Sequence, residues 1–451
     1  MEKYDVIFIG SGHSCWHGAL ILKAQGKKVA LVEKDLLGGT CTNYGCDAKI
    51  LLDSPIELKE ALGRYQNIGL AKQAELDWSA LMQYKKGYIG MMPGALDGLF
   101  KQFGFDVLRG SATFVDEHTI SVGGQKYSAD YFVIGTGQTY VPLDIPGKEH
   151  FKDSRDFLSL DVLPERLTFV GAGIIGMEFA SICLALGKKV DIVDLADRAL
   201  AQYPAKYVDE VVKKMKALGA NFLFGRHVSS LEKKGEGEYV LKTQEGDEIE
   251  SNYVLVAVGR KANAEGMNLE GLGIEYSARG IKVDDHLRTA VKNIYASGDV
   301  VDKQIPKLTP TAEFESNYIA LDILLPGVLK KKISYPVVPN LVFTLPRIGQ
   351  VGVSVDEAQK LGYRVEEVEF GKTMAWMNKN DLGERLTFVL NAKNELVGAA
   401  VLSDQAGEYL DILTIIINQK LKAKDLAGMI FSFPTTTYGL ISSLVPLMLK
   451  K

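Results

Sequence analysis

Two cysteines five positions apart are the side chains in this sequence best suited to chemistry: Cys41 and Cys46, in Gly38-Gly39-Thr40-Cys41-Thr42-Asn43-Tyr44-Gly45-Cys46. A close pair of thiols in a reducing compartment can cycle between dithiol and disulfide, or hold a metal ion. In a regular helix their separation amounts to about 7.5 Å of rise. A disulfide tolerates roughly 7 Å between Cα atoms. A bridge therefore needs an irregular turn, which Asn43 and Gly45 can supply; two unrelated buried thiols are the plainer alternative. The other cysteines read differently. Cys15 stands in a glycine-rich turn, and Cys183, in Ala180-Ser181-Ile182-Cys183-Leu184-Ala185, reads as a core residue of a helix.

Two glycine runs must position this pair and whatever reduces it. Residues 166–195 read strand, turn, helix, strand, and Gly171-Ala172-Gly173-Ile174-Ile175-Gly176 fits G-x-G-x-x-G between the first strand and the helix. Such glycines allow a tight turn, close backbone approach to a pyrophosphate, and a helix N-terminus aimed at it. Asp194 closes the second strand, 23 positions after Gly171. There it can accept from both ribose hydroxyls and repel a 2′-phosphate, which points to NADH over NADPH. Residues 4–35 repeat the pattern, with Gly10, Gly12 and Glu33 again 23 positions on, but Cys15 holds the place of the third glycine.

At 451 residues the chain is too long for one core, and about three domains are expected. The balance of 52 basic against 56 acidic residues, with no polybasic run, argues against a nucleic-acid partner. Residues 4–10 read as a strand rather than a signal peptide, and no apolar run reaches about 18 residues, so a cytoplasmic protein with no membrane span is expected. Between the two glycine units lie a helical stretch at about 49–103 and, after it, β-like runs at 112–115, 119–122 and 131–134. The second unit closes at Tyr253-Val254-Leu255-Val256-Ala257-Val258-Gly259-Arg260, and Ile294-Tyr295-Ala296-Ser297-Gly298-Asp299 is a further strand with a glycine-acid ending. From about Tyr335 the chain alternates β-like runs and helices.

In this order, GGTCTNYGC, VLVAVGR and IYASGDV resemble the two-cysteine flavoprotein disulfide reductases, the family of dihydrolipoamide dehydrogenase, glutathione reductase and mercuric reductase, over essentially the whole chain. The resemblance implies an α/β fold with two Rossmann-like dinucleotide-binding domains and a C-terminal α+β dimerisation domain. The FAD domain would comprise 1–145 and 265–334, the NAD domain 146–264, and the interface domain 335–451 of a homodimer. It implies FAD on Gly10, Gly12, Cys15, Glu33, Gly39, Thr40, Ala112, Thr136, Gly137 and Asp299, and NAD on Gly171, Gly173, Gly176, Asp194 and Gly259. Lys49 would pair with Glu178 near the flavin. By the same resemblance Cys46 faces the flavin, and Cys41 attacks the substrate.

The chain departs from the family at its C-terminal end. Disulfide reducers carry a His-Pro pair there, with a glutamate five residues after the histidine; here Phe433 precedes Pro434, and Tyr438 takes the glutamate's place. No histidine follows His286, and no C-terminal cysteine pair replaces it. Phenylalanine transfers no proton, a phenol donates more readily than it accepts near neutrality, and general acid–base groups are worth about 10²–10⁴-fold in rate. The expected activity is an NADH-dependent FAD oxidoreductase that passes electrons through the cysteine pair to a small acceptor: an unusual disulfide, a metal ion or a quinone. A dihydrolipoamide dehydrogenase and a low-turnover redox-sensing flavoprotein are the alternatives. Asp47-Ala48 replaces the family's apolar residue and proline, with Asp47 either bearing on the thiols or capping a helix. His13 and His17 are four apart, a spacing that fits a structural or flavin-adjacent pair better than a metal site. Resident metal is not expected. Phe431, Phe433 and Leu440 are expected at the subunit junction.

Overall fold

The computed structural model describes residues 1–326 and 332–450, so the expected 265–334 segment crosses residues 327–331 outside the described ones. In strand β1 (Glu2–Ile9) the last four residues, Val6, Ile7, Phe8 and Ile9, form an unbroken apolar run because both faces are covered there. It pairs in parallel with β2 (Val29–Glu33) on one side and β6 (Gln125–Ile134) on the other. Helix α1 (His13–Ala24) makes the crossover. β3 (Asp106–Arg109) extends the sheet beyond β2, while β4 (Ala112–Asp116) and β5 (Thr119–Val122) fold back antiparallel on β6. Strand Ile294–Ala296 returns to this same sheet, in parallel against β6.

Between β2 and β3 the chain forms α2 (Gly39–Tyr44), α3 (Cys46–Gly63) and α4 (Trp78–Phe103), so the helical stretch expected at about 49–103 is broken once, between Gly63 and Trp78. Gly45 separates α2 from α3. The second glycine unit builds a four-stranded parallel sheet in the order 220–224, 189–194, 166–170, 253–256. Its crossover helix, Ile174–Ala185, is buried over nearly its whole length. An antiparallel flap of three strands, 228–235, 238–243 and 248–251, was not anticipated.

The third unit is a five-stranded antiparallel sheet covered by helices Ala406–Asn418 and Thr436–Leu449. Its central strand, Leu396–Leu402, lies between 348–352 and 385–390. Leu440 is fully buried in this unit's own core, so it cannot meet a partner as expected; helix 436–449 turns that side inward. Phe433 is exposed, as are Met429 and Ile430 beside it. Among the described residues, no helix is long and apolar enough to cross a membrane.

Candidate redox site and dinucleotide cradles

The irregular turn that the cysteine spacing demands is present. Asn43 is buried, and its side-chain amide donates to the carbonyls of Leu37 (2.8 Å) and Gly39 (3.0 Å), fixing α2. A Cβ on Gly45 would come within 3.0 Å of the Thr40 carbonyl oxygen, so the close return of the chain at this break suits glycine. Cys41 lies in α2, and Cys46 opens α3. The two sulfurs hydrogen-bond, which pulls the Cys46 thiol down to about 6. Burial opposes that shift; Thr309, whose Oγ1 stands 3.6 Å from Cys46 Sγ, and the Lys49 charge add to it. The same contact, then burial, pushes Cys41 up. The pair therefore holds one proton near neutrality, on Cys41, with Cys46 as the thiolate.

Lys49, one turn after Cys46, places Nζ 2.9 Å from both carboxylate oxygens of the buried Glu178. The expected partners thus meet across two units of the fold. Phe343 completes the arrangement from the third unit: its backbone N–H donates to Glu178 at 2.9 Å, and its ring lies 3.8 Å from Lys49 Nζ. Arg347 stands over the same ring and binds Asp53 (2.8 Å) and Glu57 (2.7 Å) of α3. Lys49, Asp53 and Glu57 are spaced four apart, a one-face helical pattern that could have flagged them. Burial raises the Asp53 carboxyl to about 6 against the pull of Arg347. Asp47 lies in the first turn of α3 but is not its cap; Gly45 holds that position, and no side chain bonds there. Burial raises the Asp47 carboxyl, and its charge works against thiolate formation at both cysteines.

The first glycine loop is a cradle that side chains would fill. Gly10 has φ +122°, and a Cβ there would meet the Gly135 carbonyl oxygen at 2.6 Å. Gly39 has φ +68°, and its Cβ would lie 2.9 Å from Gly12 Cα. Gly12 caps α1 with no side chain in the way, leaving the helix N-terminus open to an anion. Glu33 holds the loop by accepting from Ser11 N–H (3.1 Å) and Ser11 Oγ (2.7 Å). Thr40 sits in α2, half-buried; Ala112 is buried at the start of β4. Thr136 and Gly137 are clamped by Asn263, which donates to Thr136 O at 3.0 Å and to Gly137 O at 2.9 Å. Asp299 lies on a turn held from below by the buried Glu315, which accepts from Gly298 N–H (2.6 Å), Lys303 (2.5 Å) and Tyr335 (2.7 Å). Ser297 Oγ and Thr311 Oγ1, flanking this turn, are buried without a hydrogen-bond partner. Orphaned hydroxyls beside a glycine cradle fit a dinucleotide whose polar groups would satisfy them. Thr309, Asn263 and Glu315 were missed by sequence reasoning, because each reaches the site from far along the chain.

The second loop borders a cavity of about 970 Å³ lined by Gly171, Gly173, Asp194, Arg198, Arg226 and Gly259. Gly176 packs the helix onto the loop, where a Cβ would fall 2.0 Å from Gly171 O. Asp194 accepts from the backbone N–H groups of Ala172 and Ala196. Arg226 is engaged by Asp247 at 2.7 Å, and Arg198 by the carbonyl groups of Ala201 and Tyr203.

Phe433 and Tyr438 stand edge to face, ring centroids 5.2 Å apart, both exposed on the third unit. Cys183 is buried, as expected. Among the described residues, one group of acids is spaced to hold a metal: Asp381, Glu384 and Asp404. Arg64 already bonds to Asp381 and Asp404.

Paired dinucleotide cradles, a hydrogen-bonded cysteine pair between them and a separate α+β unit define a flavoprotein of the disulfide-reductase class. The chain belongs to the pyridine nucleotide-disulphide oxidoreductases: the model of that family matches residues 4–316, and the family's dimerisation domain matches residues 338–440. The family works with FAD and a pyridine nucleotide. A mercuric reductase of Staphylococcus aureus is 31% identical over 97% of this chain and 81% of its own length. A dihydrolipoyl dehydrogenase of Haloferax volcanii is 31% identical over 96% of this chain and 93% of its own. The solved Cu(II) complex of the HOCl-induced flavoprotein disulfide reductase RclA from Escherichia coli superposes with a TM-score of 0.88 at 25% identity, covering 100% of each chain.

Proposed function

We propose that this protein oxidises NADH and passes the electrons through Cys41 and Cys46 to a small acceptor, a metal ion or quinone in preference to a disulfide. The observation that carries the reading is the aromatic pair Phe433 and Tyr438, exposed where disulfide reducers carry a histidine and a glutamate. Thiol–disulfide exchange needs a proton removed from the attacking thiol as well as one delivered to the leaving thiolate, and neither a phenylalanine nor a phenol near neutrality accepts the first. A mercuric reductase and a Cu(II)-bound reductase among the relatives agree with a metal-ion acceptor. Bound FAD would supply two-electron transfer between the nicotinamide and the cysteine pair. Glu33, Asp299 and the Gly10–Gly12 loop would hold it, and Glu178 fixes Lys49 one turn after Cys46. Asp194 selects NADH. The protein works as a homodimer, with the exposed Met429, Ile430 and Phe433 at the junction, in a reducing cytoplasm.

The test is an anaerobic NADH titration followed by an acceptor panel. Four electrons per subunit should be taken up, falling to two in Cys41→Ser. Cu(II) or menadione turnover should exceed that with lipoamide or glutathione disulfide, and Phe433→His with Tyr438→Glu should raise disulfide turnover. Disulfide turnover near about 10² s⁻¹ in the unmodified protein, the range of an efficient enzyme, would overturn the reading. The thiolate assignment has its own check. Alkylation of the reduced protein by iodoacetamide should rise with pH through a midpoint near about 6 at Cys46. Lys49→Met should move that midpoint up and Asp47→Asn down, since the first removes a charge favouring the thiolate and the second a charge opposing it.

A further inference from the structure

The missing C-terminal histidine leaves a chemical question open. With Cys46 as thiolate and Cys41 as thiol, closing the disulfide requires the Cys41 proton to leave. A histidine pair lies on another element. His13 and His17 share one face of α1, with His13 Nδ1 3.0 Å from His17 Nε2. His17 Nδ1 stands 3.5 Å from the Glu313 carboxylate. Trp16 stacks on the His17 ring at 3.7 Å and fixes its plane. Close packing of α1 on helix Thr309–Leu324 brings these groups together: Gly18 N–H donates to Ser316 Oγ at 2.9 Å, and a Cβ on Gly18 would meet Ser316 O at 2.4 Å.

The direction of the hydrogen bonds follows from the acceptor at its end. A carboxylate only accepts, so it favours the proton on His17 Nδ1. His17 Nε2 is then a lone pair, and His13 Nδ1–H donates to it. That leaves His13 Nε2 as a bare lone pair, and this atom is buried with no partner. Burial holds both imidazoles below their ordinary range, so both are neutral near pH 7. The charged or titratable groups that bear on them are Asp47 from α3 and Glu313 from helix 309–324, besides each other.

Two elements connect the pair to the thiols. Thr309 touches Cys46, and Glu313, four residues on and on the same face of that helix, reaches His17. Those positions are about 6 Å apart along the helix axis. Asp47 adjoins Cys46 in the chain, and its charge acts on Cys41, Cys46 and His13 alike.

We propose that His13, aligned by His17 and Glu313, receives the Cys41 proton by way of Asp47 when the dithiol is oxidised, and that the proton leaves at the solvent-facing Glu313. The step balances: Cys41–SH and Cys46–S⁻ give up two electrons to two oxidised one-electron metal ions, the S–S bond forms, the S–H bond breaks, and one proton passes to His13. His17 and Glu313 are positioning residues; Glu313 is 44% exposed and can return the proton to water. The metal-ion form of the step rests on the acceptor reading above; the proton path does not.

The test follows the loss of Cys41 and Cys46 thiols by rapid mixing and alkylation, in protein reduced anaerobically with NADH. Two oxidants are used, Cu(II) and the thiol oxidant diamide, and the variant-to-wild-type ratio is read with each. His13→Asn should slow thiol loss at pH 7 at least tenfold, within the span of general acid–base effects of about 10²–10⁴. Added imidazole should restore part of the rate, and the inflection of the wild-type pH profile should vanish. Glu313→Gln should slow it less and move that inflection to lower pH, because a charge favouring the imidazolium is gone. His17→Gln should act in the same direction as His13→Asn and serves as the second variant if that one does not fold. An unchanged ratio with diamide, or no imidazole rescue, would overturn the proposal; so would loss of bound FAD in His13→Asn, which would make His13 a cofactor ligand. Slow Cu(II) oxidation of wild type beside normal diamide oxidation would instead strike the acceptor reading alone.

Discussion

The two dinucleotide cradles are built alike and sealed differently. In each, the first loop glycine has positive φ, +122° at Gly10 and +113° at Gly171, and the second caps the helix in an extended conformation. In each, an acid at the end of the second strand accepts from the second loop residue's N–H, Glu33 from Ser11 and Asp194 from Ala172. They part at the seam between helix and sheet. The second cradle has Gly176 on the helix and Ala257 on the facing strand end, with a Cβ at Gly176 falling 3.8 Å from the Ala257 methyl. The first has Cys15 on the helix and Gly135 on the strand end, and a Cβ at Gly135 would lie 2.2 Å from Cys15 Sγ. The methyl-sized bulk has crossed the seam. A departure from the glycine pattern thus need not mean a lost site; it has a partner change on the other side.

The largest effect expected from breaking this comparison is Gly176→Cys. Its Cβ would strike backbone, the Gly171 carbonyl oxygen at 2.0 Å, which cannot step aside as a side chain can. NADH should no longer reduce the protein at micromolar concentration, while FAD stays bound. Gly135→Ala comes next: overpacking against Cys15 should cost about 1–3 kcal/mol, read as a lower melting temperature and weaker FAD retention. Adding Cys15→Gly should recover most of that loss, with a coupling of about 0.5–3 kcal/mol for groups in contact; simple additivity would show the seam is not a matched pair. Asp194→Ser should shift the ratio of kcat/KM for NADH and NADPH about tenfold toward NADPH, about 1.4 kcal/mol, with Arg198 and Arg226 already lining the pocket. Equal use of both nucleotides by the wild type would count against the selecting role of Asp194. The smallest effect should be Cys15→Gly alone, a void of one small side chain costing about 1 kcal/mol.

What the sequence disclosed is what is local in the chain. The glycine loops, their acids and the cysteine pair with its break at Gly45 are each encoded within about 25 residues, where turn chemistry and spacing speak directly. Lys49 and Glu178 were found together through a family likeness, since no spacing rule links residues 129 positions apart. Thr309, Glu313, Phe343 and Arg347 stayed hidden for the same reason: each meets the site by tertiary packing. The strand 396–402 was unread although Asn391 and Asn394, the latter at φ +58°, mark the turn that separates it from 385–390. Leu440 was misplaced because helix 436–449 is apolar on more than one side, and periodicity could not tell core from interface. Asp47 looked like a cap by type, but the break falls two residues earlier, at Gly45.

The seam also ranks the single-substitution routes between the two arrangements. A chain that moves between the two arrangements one codon at a time must pass through an intermediate. By one route cysteine arrives first, opposite alanine, and the sulfur and the methyl contend for the same space, 2.2 Å apart. By the other, alanine is first trimmed to glycine, and the intermediate carries only a small gap. Proteins tolerate a gap of this size more readily than a collision. The arrangement with glycine on both sides of the seam is therefore the more tolerable of the two intermediates, and Cys15 is accommodated only where Gly135 already stands.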